Sequence, residues 1–114
     1  MARDLPKNDI PTLILAVLDE SALHGYGIAR EIERRSSDAL TMREGTLYPA
    51  LRALEADGLI VGEWEIQPSG PARRTYTLTD EGRGEVVRRT EKWREYARTV
   101  ETILGGGKID VRPT

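Results

Sequence analysis

The stretch EGTLYPALRALEADGL, Glu44–Leu59, is patterned as a helix yet carries Gly45 and Pro49, two poor helix formers, near its start. At 100° per residue, Leu47, Leu51 and Leu54 cluster on one side and must face a core. The opposite side carries Gly45, Pro49, Ala53 and Ala56, all compact, with Thr46, Tyr48 and Arg52 beside them. A merely solvated face would be filled with Glu, Lys and Gln, which build helices better. A compact strip edged by hydroxyls and a guanidinium lets the helix lie close to another surface, and free N–H groups at its start suit a phosphate. The alternative is a strip that packs against protein. Thr46 as the cap would place Gly45 outside the helix and Pro49 in its first turn, where no backbone donor is lost. Asp57-Gly58 ends the segment, with Gly58 suited to a left-handed cap.

Two helices are expected upstream. The first, about 11–20, is capped by Asn8 or Asp9, tolerates Pro11 in its first turn, and is apolar nearly all round. The second runs from about Gly25 to Arg35, with Ile28, Ala29 and Ile32 on one face, and SSDALT links it to the third. His24 caps or packs at its start. Downstream, LIVGEWEI places Ile60, Trp64 and Ile66 on one strand face, while RRTYTL turns Tyr76 and Leu78 inward. QPSGPA between them makes a hairpin with a polar tip. Thr79 caps a last helix, with Asp80 and Glu81 near its positive end, and GGG at 105–107 stops it after Leu104.

This order predicts a mainly α fold with a small β-hairpin: a winged helix-turn-helix over residues 1–79, one long C-terminal dimerisation helix over 80–104, and a flexible tail over 105–114. In such a layout the third helix enters the DNA major groove. Arg73 and Arg74 stand just past the hairpin tip, and residues 67–78 hold two Arg and no acid, a local +2 within a chain of net charge −2. Exposed loop arginines are ordinary on their own, and no global basic signature supports DNA binding.

With 114 residues there is room for one modest core, which leaves apolar helix faces in need of a partner. Cysteine is absent, which excludes a disulfide framework and thiolate metal sites and fits a cytoplasmic protein. The single histidine, His24, leaves no basis for a zinc site or a His-based triad, and no Gly-rich phosphate loop is present. An enzyme is therefore disfavoured, and neither metal nor cofactor is expected. The longest apolar run, LILAVL (Leu13–Leu18), is too short to span a bilayer and lacks the flanks of a signal peptide, so no membrane partner is expected.

Three blocks, HGYGIAREIE (24–33), GTLYPALRALEADGLI (45–60) and GPARRTYTLTDEGR (70–83), resemble in order and spacing the signature segments of PadR-type transcriptional regulators. The single C-terminal helix resembles the short subgroup of that family. The resemblance implies a winged-helix repressor that dimerises through its C-terminal helix and binds a pseudo-palindromic, double-stranded DNA operator. It also implies a backbone contact for Tyr26, a groove position for Thr46, Tyr48 and Pro49, and a wing role for Arg73 and Arg74. Arg43 and Arg52 complete the set expected at DNA. The rival reading is a winged helix that binds protein and not DNA.

From Val86 the last helix carries Val86, Thr90, Trp93, Ala97, Val100 and Leu104 at alternating spacings of four and three, a seam for pairing with another helix. Tyr96 and Ile103 widen it. These positions and Leu15 of the near all-apolar first helix predict a symmetric homodimer interface. In multidrug-sensing members of the short subgroup, a tryptophan on this helix stacks on flat ligands, so the resemblance makes Trp93 a candidate contact for a small aromatic effector. A dimer-core tryptophan without a ligand is the alternative.

Overall fold

The structure is a computed structural model that describes residues 9–105; the lead-in 1–8 and the tail 106–114 lie outside the described residues. In chain order it holds α1 (Ile10–Leu18), β1 (Leu23–His24), α2 (Gly25–Arg35), α3 (Glu44–Ala56), β2 (Ile60–Glu65), β3 (Arg73–Leu78) and α4 (Asp80–Leu104). α1 is the hub. It begins where the Asp9 carboxylate accepts the Thr12 amide at 3.3 Å, with Pro11 in the first turn. It then packs on α2, α3, β3 and α4. Leu15, expected at a dimer contact, is 0% exposed within the single chain. That expectation is corrected: a helix packed by four neighbours leaves Leu15 no surface to offer a second copy.

α3 starts earlier than Thr46 capping would require. The Arg43 carbonyl accepts the amides of both Thr46 (3.0 Å) and Leu47 (2.8 Å), making Arg43 the cap residue, without a side-chain cap bond. Thr46 and Gly45 are therefore helical, and Pro49 lies inside the helix and not in its first turn. With no N–H at Pro49, the Gly45 carbonyl loses its usual donor. Gly45 is exposed, which leaves that carbonyl to solvent. Leu47, Leu51 and Leu54 are buried together, as their spacing predicts.

The sheet has three strands and not two, in the order β1-β3-β2, with both pairings antiparallel. Its extra strand pairs Leu23 with Tyr76 and His24 with Thr75. Two residues are too few to show an alternating pattern in sequence. Ile60, Tyr76 and Leu78 point into the core. Trp64 and Ile66, which share the strand face of Ile60 in sequence, are 69% and 89% exposed, because the hairpin runs on past the edge of the core.

α4 is fastened at its start. The Thr79 hydroxyl accepts the Gly82 amide at 3.0 Å and donates to the Gly58 carbonyl at 2.7 Å, while the Thr79 amide donates to the Leu59 carbonyl at 3.0 Å. Gly82 is the one buried residue of this helix, and Val86 packs on the core just beyond it. Past Val86 the seam is uncovered: Trp93 and Leu104 are 39% and 69% exposed, and Ala97 is exposed. Gly105, at φ 80°, ends the helix in the left-handed conformation.

A β-carbon at Gly82 would stand 2.1 Å from the Leu59 carbonyl oxygen, a backbone atom that cannot swing aside. Gly82→Ala should therefore destabilise the fold by about 3 kcal/mol, the upper end of overpacking costs. Gly84→Ala, which meets only the flexible end of Arg88 at 3.8 Å, should gain up to about 1 kcal/mol of helix propensity. The urea midpoints of the two variants should move in opposite directions.

Candidate nucleic-acid interface

With the leucine seam buried, α3 presents Gly45, Thr46, Tyr48, Pro49, Arg52, Ala53 and Ala56 as its exposed face, and Arg43 stands exposed just ahead of it. Of this strip only Tyr48 touches another described element, its ring lying against α2. The first turn keeps free backbone N–H groups, since Arg43 supplies no side-chain cap.

Two tyrosines flank the start of this helix. Tyr48 lays its ring on the first residue of α2, where a β-carbon at Gly25 would come within 2.6 Å of the phenol oxygen. Tyr26, the second residue of α2, is 65% exposed, stacked parallel to His24 with centroids 6.4 Å apart and with the Arg30 guanidinium 5.8 Å from its ring. Its phenol is open to solvent and does not brace α2 from within. Together with Trp64, Arg73 and Arg74, these residues line a cleft of about 500 Å³ between the wing and the two helix starts.

His24 builds the corner of that cleft. Its Nδ1 accepts the Gly27 amide at 3.1 Å, which requires that nitrogen to be unprotonated. Burial pushes the imidazole pKa down, the nearby Arg73 cation lowers it further, and Glu65 opposes the shift.

The wing arginines differ from one another. Arg73 is exposed, with only a 3.9 Å approach to Glu65, and is free to reach outward. Arg74 is not. Its Nη2 donates to Glu55 Oε2 at 2.6 Å and to the Gly62 carbonyl at 2.7 Å, its guanidinium lies 5.7 Å from the centroids of both Trp64 and Tyr76, and its Nε is buried. Arg74, expected at DNA, is thus engaged within the chain, and the local +2 of the wing is offset by Glu55 and Glu65. Sequence reasoning missed Glu55 and Trp64 as parts of this site. Trp64 alternates with Ile60 and so reads as core; Glu55 and Arg74 stand 19 positions apart, with no local signal of their pairing.

Trp93 lies on α4, outside this cleft, edge-on to Tyr96 with centroids 6.0 Å apart. Among the described residues no helix is long and apolar enough to cross a membrane, and no three His, Cys, Asp or Glu side chains gather as metal ligands.

Three helices, an antiparallel wing and an uncovered third helix define a winged helix-turn-helix protein. The transcriptional regulator PadR-like family matches residues 14–88, and the chain belongs to that family. It is 35% identical over 104 residues to the transcriptional regulator Rv3488 of Mycobacterium tuberculosis, covering 91% of both chains. Among solved structures it is similar to a PadR family transcription regulator from Clostridium difficile, with a TM-score of 0.73 and 32% identity over 84% of this chain and 98% of that one. Bacillus subtilis PadR in complex with operator DNA is similar at a TM-score of 0.64 and 28% identity, over 69% of this chain and 45% of that one. These relatives are transcriptional regulators and not enzymes, which agrees with the lack of catalytic spacing in the sequence.

The His24 cap makes stability pH-dependent. Its folded pKa lies below the ordinary 6.5, so as pH falls the unfolded chain takes up the proton first. The cap contribution, about 1 kcal/mol, is complete above that ordinary value and is lost as pH drops through the folded value. The urea midpoint should be lower at about pH 5.5 than at about pH 7.5. His24→Asn, which caps without titrating in this range, should flatten that difference.

Proposed function

We propose that this regulator binds a pseudo-palindromic DNA operator as a homodimer and represses transcription, with α3 as the reading helix. The observation that carries the reading is the exposed strip Gly45–Pro49–Ala56 on a helix whose other side buries Leu47, Leu51 and Leu54. Compact residues let the helix axis approach a groove, while Thr46, Tyr48 and Arg52 along its edges suit base edges and phosphates. Arg43, Tyr26 and Arg73 border the same surface and fit backbone contacts. The operator-bound structure of Bacillus subtilis PadR supports the reading by likeness of fold.

The uncovered seam on α4 supports the homodimer: Trp93, Tyr96, Ala97, Val100 and Leu104 lie along one side with no other described element over them, and Val86 prolongs that side from the core. Two-fold pairing there would present two reading helices to half-sites about 34–36 Å apart. Trp93 and Tyr96 at mid-seam offer flat faces to a small aromatic effector. Release of DNA requires an effector that binds one dimer geometry better than the other.

The test is to capture genomic fragments on the purified protein and to measure binding to the recovered palindromic duplex across a salt series. Binding should weaken steeply with salt. A protein that enriches no fragment, and instead retains a protein partner through its α3 face, would have the rival function. Gly45→Ala gives a sharper arm, because nothing lies within 4 Å of the added carbon. It should stabilise the fold by about 1 kcal/mol while weakening the recovered duplex several-fold, since the methyl stands in the approach path.

For the effector, flat aromatic compounds should change Trp93 fluorescence saturably in a Trp64→Phe background. Absence of any saturable change would leave Trp93 as a structural residue of the seam.

A further inference from the structure

Building on the DNA-binding reading, we infer that Arg74 is a positioning residue: it locks the wing to the far end of the reading helix and thereby sets where Arg73 and the hairpin tip stand. The guanidinium occupies a slot with walls from three elements. β2 supplies the Trp64 ring and the Gly62 carbonyl, β3 the Tyr76 ring, and α3 the Glu55 carboxylate. The Glu55 carboxylate also accepts the Gly62 amide at 3.2 Å, so one side chain of α3 grips both strands of the hairpin. Among the described residues, Glu55 is the only side chain of α3 that hydrogen-bonds the hairpin.

Room for this arrangement is built into the backbone. A β-carbon at Gly62 would lie 2.7 Å from Nη2 and 2.8 Å from Nε of Arg74. Beyond the core residues Ile60, Tyr76 and Leu78, the hairpin carries exposed Glu63, Trp64, Glu65 and Ile66 on one strand and exposed Arg73 on the other. A two-stranded ribbon by itself is only marginally stable. The planar fork of an arginine can stack between two rings and still form in-plane hydrogen bonds, which a lysine ammonium cannot.

The charges also separate the roles of neighbouring arginines. For Arg74 to reach a phosphate it would have to leave Glu55 and expose a half-buried carboxylate to the phosphate field. Arg73 gives up only a 3.9 Å approach. Arg73 is thus the residue that meets DNA charge, and Arg74 the one that aims it.

Salt dependence tells an aiming residue from a contacting one, since each phosphate neutralised contributes roughly 0.9 to the slope of log affinity against log salt. Arg74→Gln, Glu55→Gln and the double variant are compared with Arg73→Ala on the recovered palindromic duplex and on an unrelated duplex. Arg74→Gln and Glu55→Gln should each weaken the palindromic duplex about tenfold with the parent's salt slope, leave the unrelated duplex nearly unchanged, and combine without further loss because both break one contact. Arg73→Ala should lower the slope on both duplexes by about 0.9. A reduced slope for Arg74→Gln, or parental binding by both clamp variants, would overturn the assignment. Glu55→Gln keeps the size of the side chain and an acceptor for the Gly62 amide, so it remains informative if Arg74→Gln proves unstable. Failure of the parent protein to bind either duplex would sink the DNA-binding reading and not the clamp geometry; in that case unchanged Trp64 fluorescence in Arg74→Gln, measured with Trp93→Phe, would overturn the clamp itself.

Discussion

Burial of Leu47, Leu51 and Leu54 along one side of α3 is the constraint on which the rest of the structure turns. Each leucine removed from water contributes about 2 kcal/mol, and all three point the same way. Turning α3 by one residue would lift leucines out of the core and press Arg52 or Tyr48 toward it, so its rotation about its own axis is stiff. The face opposite the leucines is then exposed whatever it carries. That it carries Gly45, Pro49, Ala53 and Ala56, and not the usual charged helix formers, is the fact that packing leaves unexplained and on which the proposed approach to DNA rests.

The same helix is held at both ends by contacts that admit no side chain. At its start, Tyr48 lies on Gly25 of α2, so the two helix starts meet at ring thickness. At its far end, Glu55 holds the hairpin through Arg74, while the turn after the helix offers the Gly58 and Leu59 carbonyls to Thr79. α2, the wing and α4 are each registered against α3 in this way. Tyr26 of α2 and Arg73 of β3, which border its exposed face from separate elements, thus inherit defined positions from one helix.

Much of this was legible in sequence because its signals are local. The leucine period of α3, the Thr79 cap, the extent of α2 and the inward Tyr76 and Leu78 all follow from spacing over a few residues. What was not legible depends on contacts remote in sequence. β1 exists because Leu23 and His24 meet β3 some fifty residues later, as their pairing with Tyr76 and Thr75 shows. Arg74 reads as a free wing charge until Glu55 is brought beside it, and Leu15 as a spare apolar residue until four elements close around α1. The start of α3 was misread for a different reason: a proline favours the first turn but does not forbid a later one when the carbonyl it orphans can face water.

The way α4 joins the domain bears on how events along its seam reach α3. β3 ends at Leu78 and α4 begins at Asp80, leaving Thr79 alone between them with both its amide and its hydroxyl bonded. There is no linker to absorb a rotation. About two turns further on, Val86 packs on the core, and Arg89 donates to Thr12 of α1 at 3.2 Å while Glu85 holds it at 2.7 Å. The two arginines, Arg89 first and then Arg88, keep the Glu85 carboxyl below the usual carboxylate range, so this brace stays charged at neutral pH. α1 in turn packs directly on α3. A shift of α4 must therefore move α1 and α3 with it or break packed contacts, and interiors packed to near-crystalline density resist gradual yielding. Between the α4 seam and the proposed reading face of α3 lie interlocked side chains, which is the arrangement a transmitted change in spacing requires.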